Sequence, residues 1–432
     1  MAGDPSESTA PAGECAPSQQ HAVRELFHNR DFKLLWIGQL LSQVGDQCLL
    51  IAVITLISNL SSSPLALLVP AISIAIPQIA FGLVGGVMAD RWNRKLTMIA
   101  SDVLRGLIVL CVLFVNNAQH FWILYLSVAG LALVGVFFYP ARNAAIPNIV
   151  PPGLLLSANG LIQGSTIVAL ILGPAIAGVA VELWAPSAII LDSATFFVSA
   201  IFITVMTIPQ AISDQSPIVV ENSVWDDMKA GLNFIRRSRA MSQVLAITAI
   251  ATLGIGAIVL LAIPHLEVQL DAGALEYGIA MSMLGLGSVL GGLMVNRLSS
   301  RLSTSTIVGG MLILAGMAIV IFAFAPNYAV VLASVAVTGM CVVMARGALD
   351  TLSQALSPDI MRGRVQSAVN LIVVTATAAA EGISAVLGSL IGVQIVFAAA
   401  GILTALTGVA AIFVLRGAAR LVGRGLATAE TR

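Results

Sequence analysis

The chain has 432 residues, of which 58% are hydrophobic and only 10% charged, and its 21 Lys and Arg balance 21 Asp and Glu. An ordinary soluble domain carries roughly a quarter charged residues, so a soluble fold of this composition would lack the polar surface to cover its cores. With no long basic segment and no net charge, nucleic acid is not an expected partner.

Residues 1–32 are polar, with Pro, Ser, Glu and Asp, and read as a disordered tail rather than a signal peptide. Twelve apolar runs follow, near 33–59, 65–88, 96–116, 120–141, 156–182, 187–208, 241–265, 274–296, 305–325, 328–349, 365–390 and 395–416. Each is long enough to cross the hydrocarbon core as a helix. The expected fold is therefore an all-α membrane protein of twelve transmembrane helices. Between its halves, 33–208 and 241–416, lies a polar linker, 209–240, in which Trp225, Met228, Leu232 and Ile235 recur at helical spacing. This predicts a short amphipathic helix on the membrane face. Residues 417–432 form a second tail.

The cations check the count. Of the 21, all but Arg105 fall in the tails or in alternate connections: Arg91, Arg94 and Lys95 after the second run, Arg142 after the fourth, Arg297 and Arg301 after the eighth. The positive-inside rule then gives an even number of spans in the cell membrane, with both termini cytoplasmic.

The stretch Gly85-Gly86-Val87-Met88-Ala89-Asp90-Arg91-Trp92-Asn93-Arg94-Lys95 returns, about half the chain later, as Gly291-Gly292-Leu293-Met294-Val295-Asn296-Arg297-Leu298-Ser299-Ser300-Arg301. A second echo opens the fifth and eleventh runs, Ser157-Ala158-Asn159-Gly160-Leu161 and Ser367-Ala368-Val369-Asn370-Leu371. One six-helix bundle has been duplicated, which is how many secondary transporters are built.

Inside the spans, polar residues are few. Gln39, Gln43 and Asp46 fall on one helical face of the first span, with Asp46 near its middle. Such a stripe is costly against lipid and should face the bundle or a wet cavity. Asp46 is the prime candidate to bind a proton or a cationic substrate group; structural hydrogen bonding to a neighbouring helix is the alternative. Glu381, set among Ala378, Ala379, Ala380 and Gly382 in the eleventh span, is the second candidate, as proton carrier or structural hydrogen-bonding group. Asp102 and Arg105 are spaced to pair on the third span and read as a structural or gating element. Asp192 in the sixth reads as structural. Gly173-Pro174 should kink the fifth span.

Several groups are missing from the sequence. No G-x-x-x-x-G-K-[ST] loop offers a phosphate cradle, and Cys15, Cys48, Cys111 and Cys341 lie far apart with no metal-type spacing. No ATP drive, metal, cofactor or catalytic centre is expected.

The motif Gly86, Asp90, Arg91, Arg94, Lys95 resembles, in register, the G-x-x-x-D-R-x-x-R-[RK] loop of the major facilitator superfamily, with Asn93 in place of the usual glycine and Asn296 in place of the acid in the second copy. Gly173-Pro174 with Gly178 looks like the core of the exporters' span-five motif. Gly45-Asp46, Asp102 with Arg105, Tyr139-Pro140-Ala141-Arg142 and Asp192 resemble the macrolide-efflux and enterobactin-exporter-like branch. The resemblance covers about 33–416. It implies two pseudo-symmetric six-helix bundles working by alternating access, with span one lining a central cavity. It further implies that Gly86, Asp90, Arg91 and Arg94 act in conformational gating and that transport runs outward. The substrate does not follow from it; a largely apolar cavity with few acids suits amphiphilic or hydrophobic small molecules better than sugars or phosphates, so the expected function is their export in exchange for protons, by a monomer in the lipid bilayer. Gly45-Asp46, Pro140-Ala141 and Ser157–Leu161 also look like a lysophospholipid flippase, and a non-transporting membrane sensor is the third reading.

Overall fold

The computed structural model describes residues 19–61, 63, 65–208, 232–299, 301–358 and 361–430; within its helices the side chains of 19–22, 79, 83–91, 257–260, 296, 362–364, 367 and 418–430 are not described. The described residues are helical throughout, with no strand. The helices are α1 Gln19–His28, α2 Arg30–Leu60, α3 Leu65–Arg91, α4 Arg94–Cys111, α5 Phe121–Ile149, α6 Leu155–Leu183 and α7 Pro186–Val205. After the linker come α8 Arg239–Ile255, α9 Ala257–Leu270, α10 Ala274–Ser299, α11 Thr304–Ala323, α12 Tyr328–Leu356, α13 Arg362–Ile391 and α14 Val393–Glu430.

Eleven helices among the described residues are long and apolar enough to cross a membrane. The twelfth expected span, the seventh in order, is divided at Gly256 into α8 and α9, neither long enough alone. The break has local causes. Thr248 and Thr252 turn their hydroxyls back onto Val244 O and Thr248 O (2.9 and 2.8 Å), a bond that bends helices. Pro264 removes a further backbone donor from α9.

The duplication read from the sequence repeats in the packing. In the first half α2 packs on α6 and α7, α3 on α5, and α4 on α5 and α7; in the second, α8 packs on α13 and α14, α10 on α12, and α11 on α12 and α14. Each pair has its counterpart six spans later. The main contacts joining the halves are α6 with α10 and α3 with α13, and these too are equivalent under the duplication; α2 adds smaller ones to α9 and α10.

The core is not evenly divided. At the end opposite the basic loops, one continuous apolar core includes Ile51, Val109, Ala177 and Val181 from the first half with Leu261, Tyr277, Phe322 and Phe397 from the second. At the basic end the cores are separate: Phe32, Met98, Phe138 and Ala158 in one bundle; Ile307, Leu349 and Ala411, and Met241 and Val365, in the other. The halves are fused at the far end and independent at the basic end.

The seam between α6 and α10 shows why. Gly278, Gly285 and Gly292 recur every seven residues on α10. Gly278 lies against Pro174 O, and a Cβ at Gly285 would sit 2.9 Å from Leu170 O. That carbonyl is the one Pro174 leaves without its helical donor, so proline and glycine together allow the close approach. Gly178 meets Ala274 and Leu275 in the same way. Toward the basic end, Gly160 and Gly164 of α6 and Gly292 of α10 have no described atom within 4 Å of a Cβ position. Gly287 and Gly291 pack instead within their own bundle, on Ala336 and Met340 of α12.

The tail expected over 1–32 is partly structured. Residues 19–28 form α1, and Leu26 and Phe32 are completely buried, in one cluster with Met98 and Phe138. Apolar residues at 26, 27 and 32 within a polar stretch account for this. The linker helix is described only over 232–237, where Ile235 packs against Met241, Val365 and Ala368; Trp225 and Met228 lie outside the described residues. The last tail continues α14 as helix to Glu430.

Candidate binding site

α2 is the element that carries the site. Asn29 fixes its start: its side chain accepts from Phe32 N (3.1 Å) and donates to Ile149 O at the end of α5 (2.6 Å). The polar stripe then divides between neighbours. Gln39 accepts from Arg142 Nη1 of α5 (3.0 Å), and Gln43 donates to Ser165 Oγ of α6 (3.4 Å). Asp46, one turn further, lines a cavity of about 540 Å³ between α2, α3, α4, α5 and α7, with Gln47, Gln78, Arg105 and Tyr139 as its other polar groups.

Behind Asp46 lies a buried charge cluster whose members the sequence assigned to separate tasks. Asp102 and Asp192 are completely buried, and Arg105 nearly so. Arg105 Nη1 stands 3.9 Å from Asp102 Oδ1. Its guanidinium lies over the rings of Phe138, Tyr139 and Phe196, at 4.7, 5.3 and 5.5 Å, which hold it by cation–π attraction. Gly135 makes room: a Cβ there would lie 2.9 Å from Arg105 Nη2. Gly45 does the same for Asp192, whose Oδ1 would be 2.5 Å from a Cβ. Neither Asp102 nor Asp192 accepts a bond of ordinary geometry; Arg105 and the Ser199 hydroxyl act on Asp102, and Arg105 and Asp46 on Asp192. Three carboxylates thus share one guanidinium inside an apolar bundle. Unpaired buried charge is expensive, and among the described residues the cluster holds no cation other than Arg105.

Glu381 is half-buried on α13 and lines a second cavity of about 260 Å³ with Gln78 and Thr377. Leu50, Pro70, Ile74 and Gln78 line both cavities, which therefore adjoin. Gly173 packs its backbone against Gln47, at 2.7 Å from a Cβ position to Gln47 Cβ. Gly173-Pro174 is thus wedged between α2 and α10, and helix α6 runs unbroken through it.

Of the basic-loop residues, Gly86, Asp90 and Arg91 fall where side chains are not described. Arg94 donates to Ala144 O (3.1 Å), and Lys95 to Thr204 O and Met206 O (2.8 and 2.7 Å). Both cations cap carbonyls at or near helix C-termini of their own bundle, where the macrodipole favours positive charge. One contributor went unremarked in the sequence, and another was read there without its neighbours. Gln78, just after Pro77, is the amide shared by both cavities; an uncharged polar side chain in the middle of an apolar run was its only signal. Asp192, read as a support residue, faces the same cluster as Asp46, which only the packing of Gly45 on α7 reveals.

A Major Facilitator Superfamily model matches residues 35–380 and 244–428. The chain is 27% identical over 220 residues to the uncharacterised MFS-type transporter YfiS of Bacillus subtilis, across 50% of this chain and 51% of that protein. It is 25% identical over 220 residues to macrolide efflux protein A of Streptococcus pyogenes, across 50% and 54%. To these two relatives the match spans about half of their length. To BacE of Bacillus subtilis, named for bacilysin export, it is 28% identical over 304 residues, across 69% and 74%. Among solved structures, the nucleoside transporter NupG superimposes with a TM-score of 0.75 at 11% identity, covering 89% of this chain and 99% of that one. A bacterial homologue of the lysosomal transporter Spinster gives 0.68 at 14% identity, covering 95% and 97%.

Proposed function

Since the chain belongs to the Major Facilitator Superfamily, we propose that it is a proton-coupled antiporter that exports hydrophobic or amphiphilic small molecules by alternating access. The observation that carries this reading is Asp46, which lines the larger cavity in front of a cluster where one guanidinium serves three carboxylates. Such a cluster exchanges positive charge readily: a proton bound at Asp46 and a positively charged substrate in the adjoining space disfavour each other, which couples the two. The lining is mostly apolar, which suits amphiphiles better than sugars or phosphates.

Export is supported by the relatives named for efflux. It also fits the fused far end and separated basic end. With the basic end cytoplasmic, as the charge distribution implies, this conformation opens toward the cytoplasm and loads there. The lysophospholipid reading fits less well, because a phosphate group would meet Asp46 and Glu381 with Arg105 as the one cation lining these cavities among the described residues.

The test is efflux of ethidium from energised cells. Wild type should extrude it, a protonophore should stop the efflux, and Asp46→Asn, inserted at the wild-type level, should lose at least about tenfold of the rate, the loss of roughly 1.4 kcal/mol. Efflux that survives the protonophore, or an Asp46→Asn protein as fast as wild type, would sink the proton-coupled reading.

A further inference from the structure

The two carboxylates that line the cavities are not equivalent. Asp46 lines its cavity beside the Arg105 guanidinium, so a cation arriving there meets a positive group as well as the carboxylate. Around Glu381 no described cation makes an ion pair, and no described group donates it a hydrogen bond. Thr377, one turn away, spends its hydroxyl on Val373 O (3.0 Å). The remaining neighbours in that cavity, Ile54, Leu67, Val373 and Ala378 among them, are apolar, with Gln78 the one free amide. A half-buried carboxylate in such a wall lacks the positive partner that buried or cavity-facing charges usually have. Among the described residues the protein supplies none.

Both cavities are contiguous through Leu50, Pro70, Ile74 and Gln78. Together they give a long apolar chamber with a free carboxylate at one end and a carboxylate–guanidinium pair at the other. We propose, on the basis of the exporter reading above, that Glu381 is the recognition point for the protonated nitrogen of a hydrophobic amine or other lipophilic cation. The apolar body of that substrate lies across Gln78 into the larger cavity, and Asp46 with Arg105 carries the proton exchange. This division assigns selectivity to the second bundle and coupling to the first. The predicted substrates are amphiphiles with one positive charge; anions and phosphate-bearing amphiphiles are excluded by the two carboxylates. Neutral apolar compounds occupy the chamber without using Glu381.

The experiment is equilibrium binding of ethidium and of uncharged Nile red to the purified full chain in detergent, for wild type, Glu381→Gln, Glu381→Asp and Asp46→Asn, each shown to be monodisperse. Glu381→Gln should weaken ethidium binding about tenfold or more and change Nile red binding less than about twofold. Glu381→Asp, which keeps the charge, should recover most of the ethidium affinity and so separates recognition from folding. Asp46→Asn should still bind ethidium while failing to transport it. Equal ethidium affinity in wild type and Glu381→Gln overturns the proposal, as does parallel loss of both probes, ethidium binding lost in Asp46→Asn, or a wild type that binds neither probe. A wild type that binds ethidium through Glu381 but never moves it across vesicles would sink the exporter reading while leaving this site standing.

Discussion

At the scale of single residues, the buried charge cluster depends on positions that have no side chain. Gly45 touches Asp192: a Cβ would lie 2.5 Å from its Oδ1 and 3.1 Å from its Cα, and the second of these is backbone that cannot rotate away. Gly45→Ala should therefore lower stability by about 1–3 kcal/mol, read as a drop in the thermal midpoint in detergent. Gly160→Ala, where no described atom lies within 4 Å, should leave the midpoint unchanged or raise it slightly, because alanine favours helix. Equal effects of the two would mean that the α2–α7 contact is not as tight as the structure has it. Sequence reasoning found Asp46 because a carboxylate in mid-span is conspicuous. It could not find the partnership of Asp46 with Asp192, since their spans lie far apart in the chain and only the glycine between them brings them together. Nor could it see that Gln39 and Gln43, on the same helical face as Asp46, are taken up by Arg142 and Ser165; a face of α2 wide enough to hold three side chains borders α5 and α6 as well as the cavity.

At the scale of elements, the α6–α10 seam is closed over half its length. The stripe of Gly278, Gly285 and Gly292 offers the same smooth surface along all of α10, but only the first two have a partner. The remaining part, with Gly160 and Gly164 opposite, is shaped for the contact that would form if the basic end closed. Two substitutions test this in opposite directions. Gly285→Leu should hold the far end apart, because Leu170 O occupies the space its side chain needs. A cysteine at Ala274, in a background without the native cysteines, should then react severalfold faster with an impermeant maleimide added from the far side. Gly292→Leu should leave that rate unchanged and abolish transport, having blocked closure at the other end. Faster labelling in Gly292→Leu, or unimpaired transport, would remove the seam from the mechanism. Element count was legible from hydropathy and charge alternation. The division of span seven at Gly256 was not, because the close packing of Gly254 and Gly256 on Thr404 and Ala380 is a tertiary fact.

At the scale of the whole molecule, the duplication was the most legible feature. Repeated basic loops and equal halves foretold the recurrence of each helix pair six spans later. What they could not foretell was the asymmetry between the ends, since which cores merge depends on the conformation and not on the pattern. That asymmetry has a thermal consequence. On the exporter reading, release at the far end parts a core in which Ala177 and Val181 of one bundle belong to the same set as Tyr277, Leu261 and Phe397 of the other. Such parting exposes apolar surface, as local unfolding does, and so changes heat capacity. If that step limits turnover, the rate will follow a curved line against reciprocal temperature, steepening at the warm end in the way of a partial melting. A straight line over the same range would mean that the limiting step lies at the basic end, where the two cores are already apart.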